Sequence, residues 1–87
     1  MGWKYVMLER PSTGQKVPII FPDFMVHDEV ANAIRTMEGC EKLLPISAGN
    51  VNQLSIFSVS DKSLTLNLES DPTDKEIINR LQYFHGF

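Results

Sequence analysis

Cysteine is nearly absent from this chain: Cys40 stands alone among 87 residues. That excludes an intramolecular disulfide and a multi-cysteine zinc site within one chain, and a lone thiol suits a reducing compartment. Long apolar runs are missing too, since none approaches the roughly 18 residues of a membrane-spanning helix. Met1-Gly2-Trp3-Lys4-Tyr5 lacks the basic segment, apolar stretch and small-residue cleavage site of a signal peptide, so the expectation is a soluble, intracellular protein. Serines are plentiful, yet no Gly-x-Ser-x-Gly elbow surrounds one. Ser12-Thr13-Gly14-Gln15-Lys16 lacks the leading glycine of a phosphate loop and runs into an extended segment where that loop needs a helix. A basic cluster is also missing, which counts against duplex DNA or RNA as a partner, because phosphate contacts dominate such binding.

What remains is ordinary globular material, 43% hydrophobic and 22% charged, of a length that makes one domain over residues 1–87. A chain this short buries only about 60–65% of the surface its unfolded form exposes, and domains of that size often gain stability by forming homo-oligomers. The net charge of −3 is unevenly spread. Residues 1–22 carry Lys4, Arg10 and Lys16 against Glu9, whereas residues 23–87 hold five basic and ten acidic side chains.

Residues 3–10 alternate, with Trp3, Tyr5 and Met7 on one side and Lys4, Val6 and Leu8 on the other. Neither side is fully polar, so the segment reads as a strand with cover on both faces. Pro11–Gln15 supplies a turn, and Lys16–Phe21 resumes an apolar extended run. Pro18 cannot donate to a ladder, which places that run at a sheet edge or at a bulge. A first helix is expected from His27 or Asp28, with Val30, Ala33, Ile34 and Met37 as its buried stripe and Gly39 as its stop. Leu44, Ile46 and Ala48 alternate, although Pro45 weakens the strand pattern or puts the segment at an edge; Gly49-Asn50 reads as a turn or bulge, and the phase slip between Ile56 and Phe57 implies a bulge or a two-sided strand.

Leu64, Leu66 and Leu68, spaced by two, read as a strand with one dry face, joined to the preceding strand through Ser60-Asp61-Lys62. Asp71-Pro72-Thr73-Asp74-Lys75-Glu76 is a helix start, with Asp71 as cap before Pro72, or Thr73 in a capping box with Glu76. Ile77, Ile78, Leu81 and Phe84 form that helix's apolar stripe, and Gly86 ends it. The expected fold is α+β: an antiparallel sheet of four or five strands with both helices on one face, in the order ββα-βββα.

The densest polar cluster is His27-Asp28-Glu29, which would suit a metal or acid–base site except that adjacent helical residues point about 100° apart. Acids completing a helix start account for the same residues. Cys40 follows a helix C-terminus and precedes Glu41, a setting that disfavours a reactive thiolate. No cofactor or metal site is expected. Trp3, Tyr5, Phe21, Phe24, Met25, Tyr83 and Phe87 are aromatic or apolar residues gathered near the two ends and in the loop before the first helix, and they are the candidate interaction residues.

Phe24-x-x-His27-x-x-Val30, then Ser47-Ala48-Gly49, then Leu64-x-Leu66-x-Leu68-x-Ser70-x-Pro72-x-Asp74 resembles small uncharacterised proteins of tailed phages and prophages, over about residues 21–78. Such proteins often carry Gly-Phe after the Ser-Ala segment, where this chain has Gly49-Asn50. The resemblance carries no catalytic residues. It implies an accessory product acting in a bacterial host cytoplasm. The functional expectation is a non-enzymatic protein that binds and modulates another protein or self-associates. Two alternatives remain open: a small-ligand-binding or enzymatic domain around His27, Asp28 and Glu29, and a virion component.

Overall fold

A computed structural model describes residues 2–53 and 57–84, the side chains at 52–53, 57–58 and 81–84 excepted. Strand β1 (Trp3–Arg10) explains most of the architecture, because Tyr5, Val6, Met7 and Leu8 are all fully buried in succession. Side chains on a strand alternate between faces, so a strand apolar at both parities demands cover above and below. It turns through Pro11–Gly14 into β2 (Gln15–Pro22), pairing antiparallel from Arg10 with Gln15 to Trp3 with Pro22. Gly14 accepts the turn's left-handed conformation at φ 74°.

Helix α1 (His27–Arg35) follows, and then β3 (Leu44–Gln53) returns along the other side of β1. Strand β4 (Phe57–Ser60) closes a four-stranded antiparallel sheet of order β2-β1-β3-β4. A second, two-stranded sheet joins β5 (Lys62–Ser63) to β6 (Leu68–Glu69), and helix α2 (Asp74–Phe84) completes the described chain. Both the α+β class and the first ββα unit match the sequence reading. No helix among the described residues is long and apolar enough to cross a membrane.

The helices do not share a face. Val6, Leu8 and Ala48 pack with Phe21, Leu43 and the α1 residues Val30 and Ala31. Tyr5, Met7 and Val51, of the opposite parity, pack with Ile78 of α2. The one-face expectation is thus corrected, and the reason lies in β1: two dry faces need two covers. The small β5–β6 sheet joins the α1 side, where Leu66 and Leu68 lean on the first cluster.

The leucine repeat is the other correction. Residues 64–67 form a turn between β5 and β6, not the middle of a strand, and Leu64 is 81% exposed. Ser63 Oγ accepts the Leu66 N–H at 3.1 Å and Asn67 adopts φ 55°, so the chain reverses where period two would have it run straight. The region therefore supplies two short strands in place of one.

Gly49 and Asn50 lie inside β3 and do not turn. Gly49 is needed there because a Cβ would collide with the Ser60 carbonyl oxygen and come within 3.1 Å of the Asp61 carbonyl oxygen. Ile46 is the extra residue of a β-bulge, since Met7 pairs with Ser47 and Leu8 with Pro45. That bulge accommodates Pro45 in an interior strand. The slip at Ile56–Phe57 lies outside the described residues.

Pro18 sits on an edge strand as expected. The Asp23 N–H donates to Gly2 O at 3.1 Å, which turns the odd-numbered amides at this end of β2 toward β1 and the even-numbered positions outward. Pro18 and Pro22 hold two of those outward positions, and neither has an N–H to offer.

Candidate interaction surface

Helix α1 begins without a side-chain cap of its own, since Val26 precedes it in an extended conformation. The cap comes from elsewhere: the Asp28 N–H donates to Thr65 Oγ1 at 3.3 Å. The turn at residues 64–67 is thereby held against the start of α1, 37 residues away in sequence. Leu64 stands next to that cap, and Phe24 and Met25 lie in the turn that leads into α1. Phe24 is 75% and Met25 40% exposed. The two most exposed large apolar side chains among the described residues, Leu64 and Phe24, thus belong to the two segments that meet at the start of α1.

The approach to α1 is pinned at several points. Met25 N–H donates to Pro22 O at 3.1 Å, closing a turn that holds Phe24 outward. Lys4 Nζ donates to Met25 O at 3.1 Å, and the Gly2 N–H to Asp23 Oδ2 at 3.0 Å. Trp3, 37% exposed, lines an open cleft at the same end with Lys4, Asp23, Asn50 and Val51.

Of the sequence candidates, Trp3, Phe24 and Met25 are therefore on the surface. Tyr5 and Phe21 are not: both are core residues, the first fully buried and the second nearly so. The reason is registry, for Tyr5 lies in the apolar centre of β1 and Phe21 in β2 faces α1. Tyr83 falls within α2, but its side chain lies outside the described residues, and Phe87 lies wholly outside them. Leu64 was missed because its spacing imitates a strand.

His27, Asp28 and Glu29 do not converge. His27 is buried, its Nε2 3.0 Å from Gly49 O and its ring edge-on to Phe21 at 5.3 Å between centroids. Burial holds its pKa below the ordinary histidine value, with the Gly49 hydrogen bond and Asp28 acting the other way and Lys4 adding to the depression. The neutral imidazole therefore donates from Nε2 to the strand. Asp28 is partly buried and Glu29 exposed. Cys40 is half-buried against the α1-side core. No group of three His, Cys, Asp or Glu residues among the described ones is arranged to hold a metal ion.

A polar cluster that sequence reading assigned only to a helix start lies under α2. Asp74 is fully buried, and its Oδ2 accepts from Tyr5 Oη at 2.7 Å and from Ser47 Oγ. Tyr5 Oη in turn accepts the Asp71 N–H at 3.3 Å. Asp74 Oδ1 is buried with no hydrogen-bond partner among the described residues. Burial above all, then the hydrogen bond to Asp74, pushes the Tyr5 phenol well above its ordinary range, so it stays a donor. The signal was present, because Asp74 precedes Ile77 and Ile78 by three and four residues and shares their face. Its two bonds fasten α2 to β1 and β3, so it docks the helix on the sheet.

Compared with protein-family models, curated proteins and solved structures, the chain matches none.

Proposed function

We propose that this chain is a protein-interaction module that docks on another protein through the end of α1 that carries Phe24, Met25 and Leu64. The observation that supports the reading is the exposure of Phe24, in the turn that enters α1, and of Leu64, next to the Thr65 whose hydroxyl holds the start of that helix. Exposed apolar side chains scattered singly need no explanation, whereas grouped ones mark contact surfaces. Burying each on docking is worth about 1.5–3 kcal/mol before the cost of association. The resemblance to tailed-phage and prophage proteins supports a bacterial host as the setting, with a host or phage protein as the partner whose activity is modulated.

One further feature favours side-chain docking over strand addition. The free edge of β2 has lost outward donors at Pro18 and Pro22, so a partner strand would find an incomplete ladder.

The test is site-specific photo-crosslinking in the producing cell, with a benzophenone amino acid placed at Phe24, at Leu64 and at the exposed control position Asn32. Discrete adducts at the first two positions and none at Asn32 are expected. No adduct at either position would overturn the reading.

A further inference from the structure

The partner's chemistry follows from what surrounds the apolar group. Asp23, Asp28 and Glu29 stand within the turn and first helical turn that carry Phe24 and Met25. Against them stand Lys4, whose ammonium is held on Met25 O, and the start of the α1 dipole, equivalent to about half a positive charge. The balance at this end stays negative, on a chain whose residues 23–87 hold twice as many acidic as basic side chains.

We infer that the occupant is a cationic, apolar protein segment, with Lys or Arg interleaved among Leu, Ile or Phe. This rests on the docking reading above. The apolar anchors would meet Phe24, Met25 and Leu64, while the basic side chains meet Asp23, Asp28 and Glu29. Three other occupants fit worse. A second copy joined by a two-fold axis would set the same three acids against themselves. Nucleic acid and an anionic membrane surface would bring phosphates to the same acids.

The experiment titrates two short synthetic peptides of equal length into the isotopically labelled full chain. One alternates Leu with Lys; the other keeps every Leu and replaces Lys by Glu. Binding is read by calorimetry and by amide shifts at Phe24, Leu64 and Thr65. The Lys peptide is expected to bind at least about tenfold more tightly than the Glu peptide, and to weaken as salt screens the charges. Asp28→Asn with Glu29→Gln is expected to remove most of that preference, and Phe24→Ala with Leu64→Ala to weaken both peptides.

Equal or tighter binding of the Glu peptide, with shifts at Phe24 and Leu64, would overturn the charge assignment and leave the docking surface standing. Lys-peptide binding that the Phe24→Ala, Leu64→Ala variant does not weaken would overturn the placement. A dimer with Phe24 protected, or sedimentation with phosphatidylglycerol vesicles, would overturn the inference in favour of those occupants. Failure of both peptides to shift Phe24 or Leu64 overturns the inference. Adducts in the crosslinking experiment would then still support a partner of different chemistry, and their absence would remove both.

Discussion

Tyr5 and Asp74, 69 residues apart, meet through a 2.7 Å hydrogen bond that ties the second strand-facing helix to the centre of the sheet. The carboxylate takes a second bond from Ser47 on β3, so one side chain of α2 is fastened to two neighbouring strands at once. Buried carboxylates are tolerable only where donors replace the water they lose.

Tyr5→Phe removes one of those donors and leaves the ring's packing in place. Chemical denaturation should register a loss of about 1–3 kcal/mol, the range for hydrogen bonds to charged groups and the desolvation they offset. A double-mutant cycle with Ser47→Ala should be non-additive, because both hydroxyls serve the same oxygen. Additive losses would show that the two bonds act separately.

The Tyr5 phenol adds an alkaline dependence. Its folded pKa is raised, chiefly by burial, so the stabilisation is complete below the unfolded value near pH 10 and declines as pH rises above it. In a Tyr83→Phe background, absorbance near 295 nm should show no phenolate until the chain unfolds. A titration at the ordinary tyrosine value with the fold intact would contradict the burial.

His27 works in the opposite sense. Its folded pKa is depressed, so its contribution is present above about pH 6.5 and is lost as acid protonates it toward the lower folded value. Stability measured from neutral pH downward should fall, and His27→Gln should flatten that slope below pH 6.5 at some cost at pH 7.

Gly49→Ala places a methyl group against the Ser60 and Asp61 carbonyls, which are main-chain atoms and cannot swing aside. A loss of about 1–3 kcal/mol is expected from the overpacking, together with exchange of the β4 amides in hydrogen-exchange measurements. A neutral substitution would mean that β4 shifts freely.

Leu64→Ala should leave stability within about 0.5 kcal/mol, as befits an exposed side chain, whereas Leu43→Ala in the core should cost about 2–5 kcal/mol. Thr65→Val, which keeps the shape and removes the acceptor for the Asp28 N–H, should cost about 1 kcal/mol and loosen the start of α1.

How far such features can be read from residues alone depends on the range of the interaction behind them. The hairpin of β1 and β2 was legible to within one residue at each end of β2, because Pro11, Gly14 and the alternation act locally. The α1 start at His27 was legible too, but its buried stripe was phased wrongly. His27, Val30, Ala31 and Ile34 face the core, while Ala33 and Met37 are exposed. The helix ends at Arg35 and is capped at Thr36, before Gly39. A histidine on the buried stripe becomes intelligible only once Gly49 O is seen opposite it. Leu64 misled because three leucines at period two also fit a hairpin whose turn depends on Ser63 and Asn67. Asp74 was readable as a helix-start acid, and its burial depended on Tyr5 and Ser47 arriving from elsewhere.

The two prolines on the outer edge of β2 set a condition on whatever this chain associates with. Sheet growth is discouraged at the longer of the two free edges, so assembly there does not propagate by backbone ladders. Recognition falls to side chains, which do not dictate the partner's secondary structure. A helix, a loop or an extended tail would then be equally admissible, provided that its side chains carry the right chemistry.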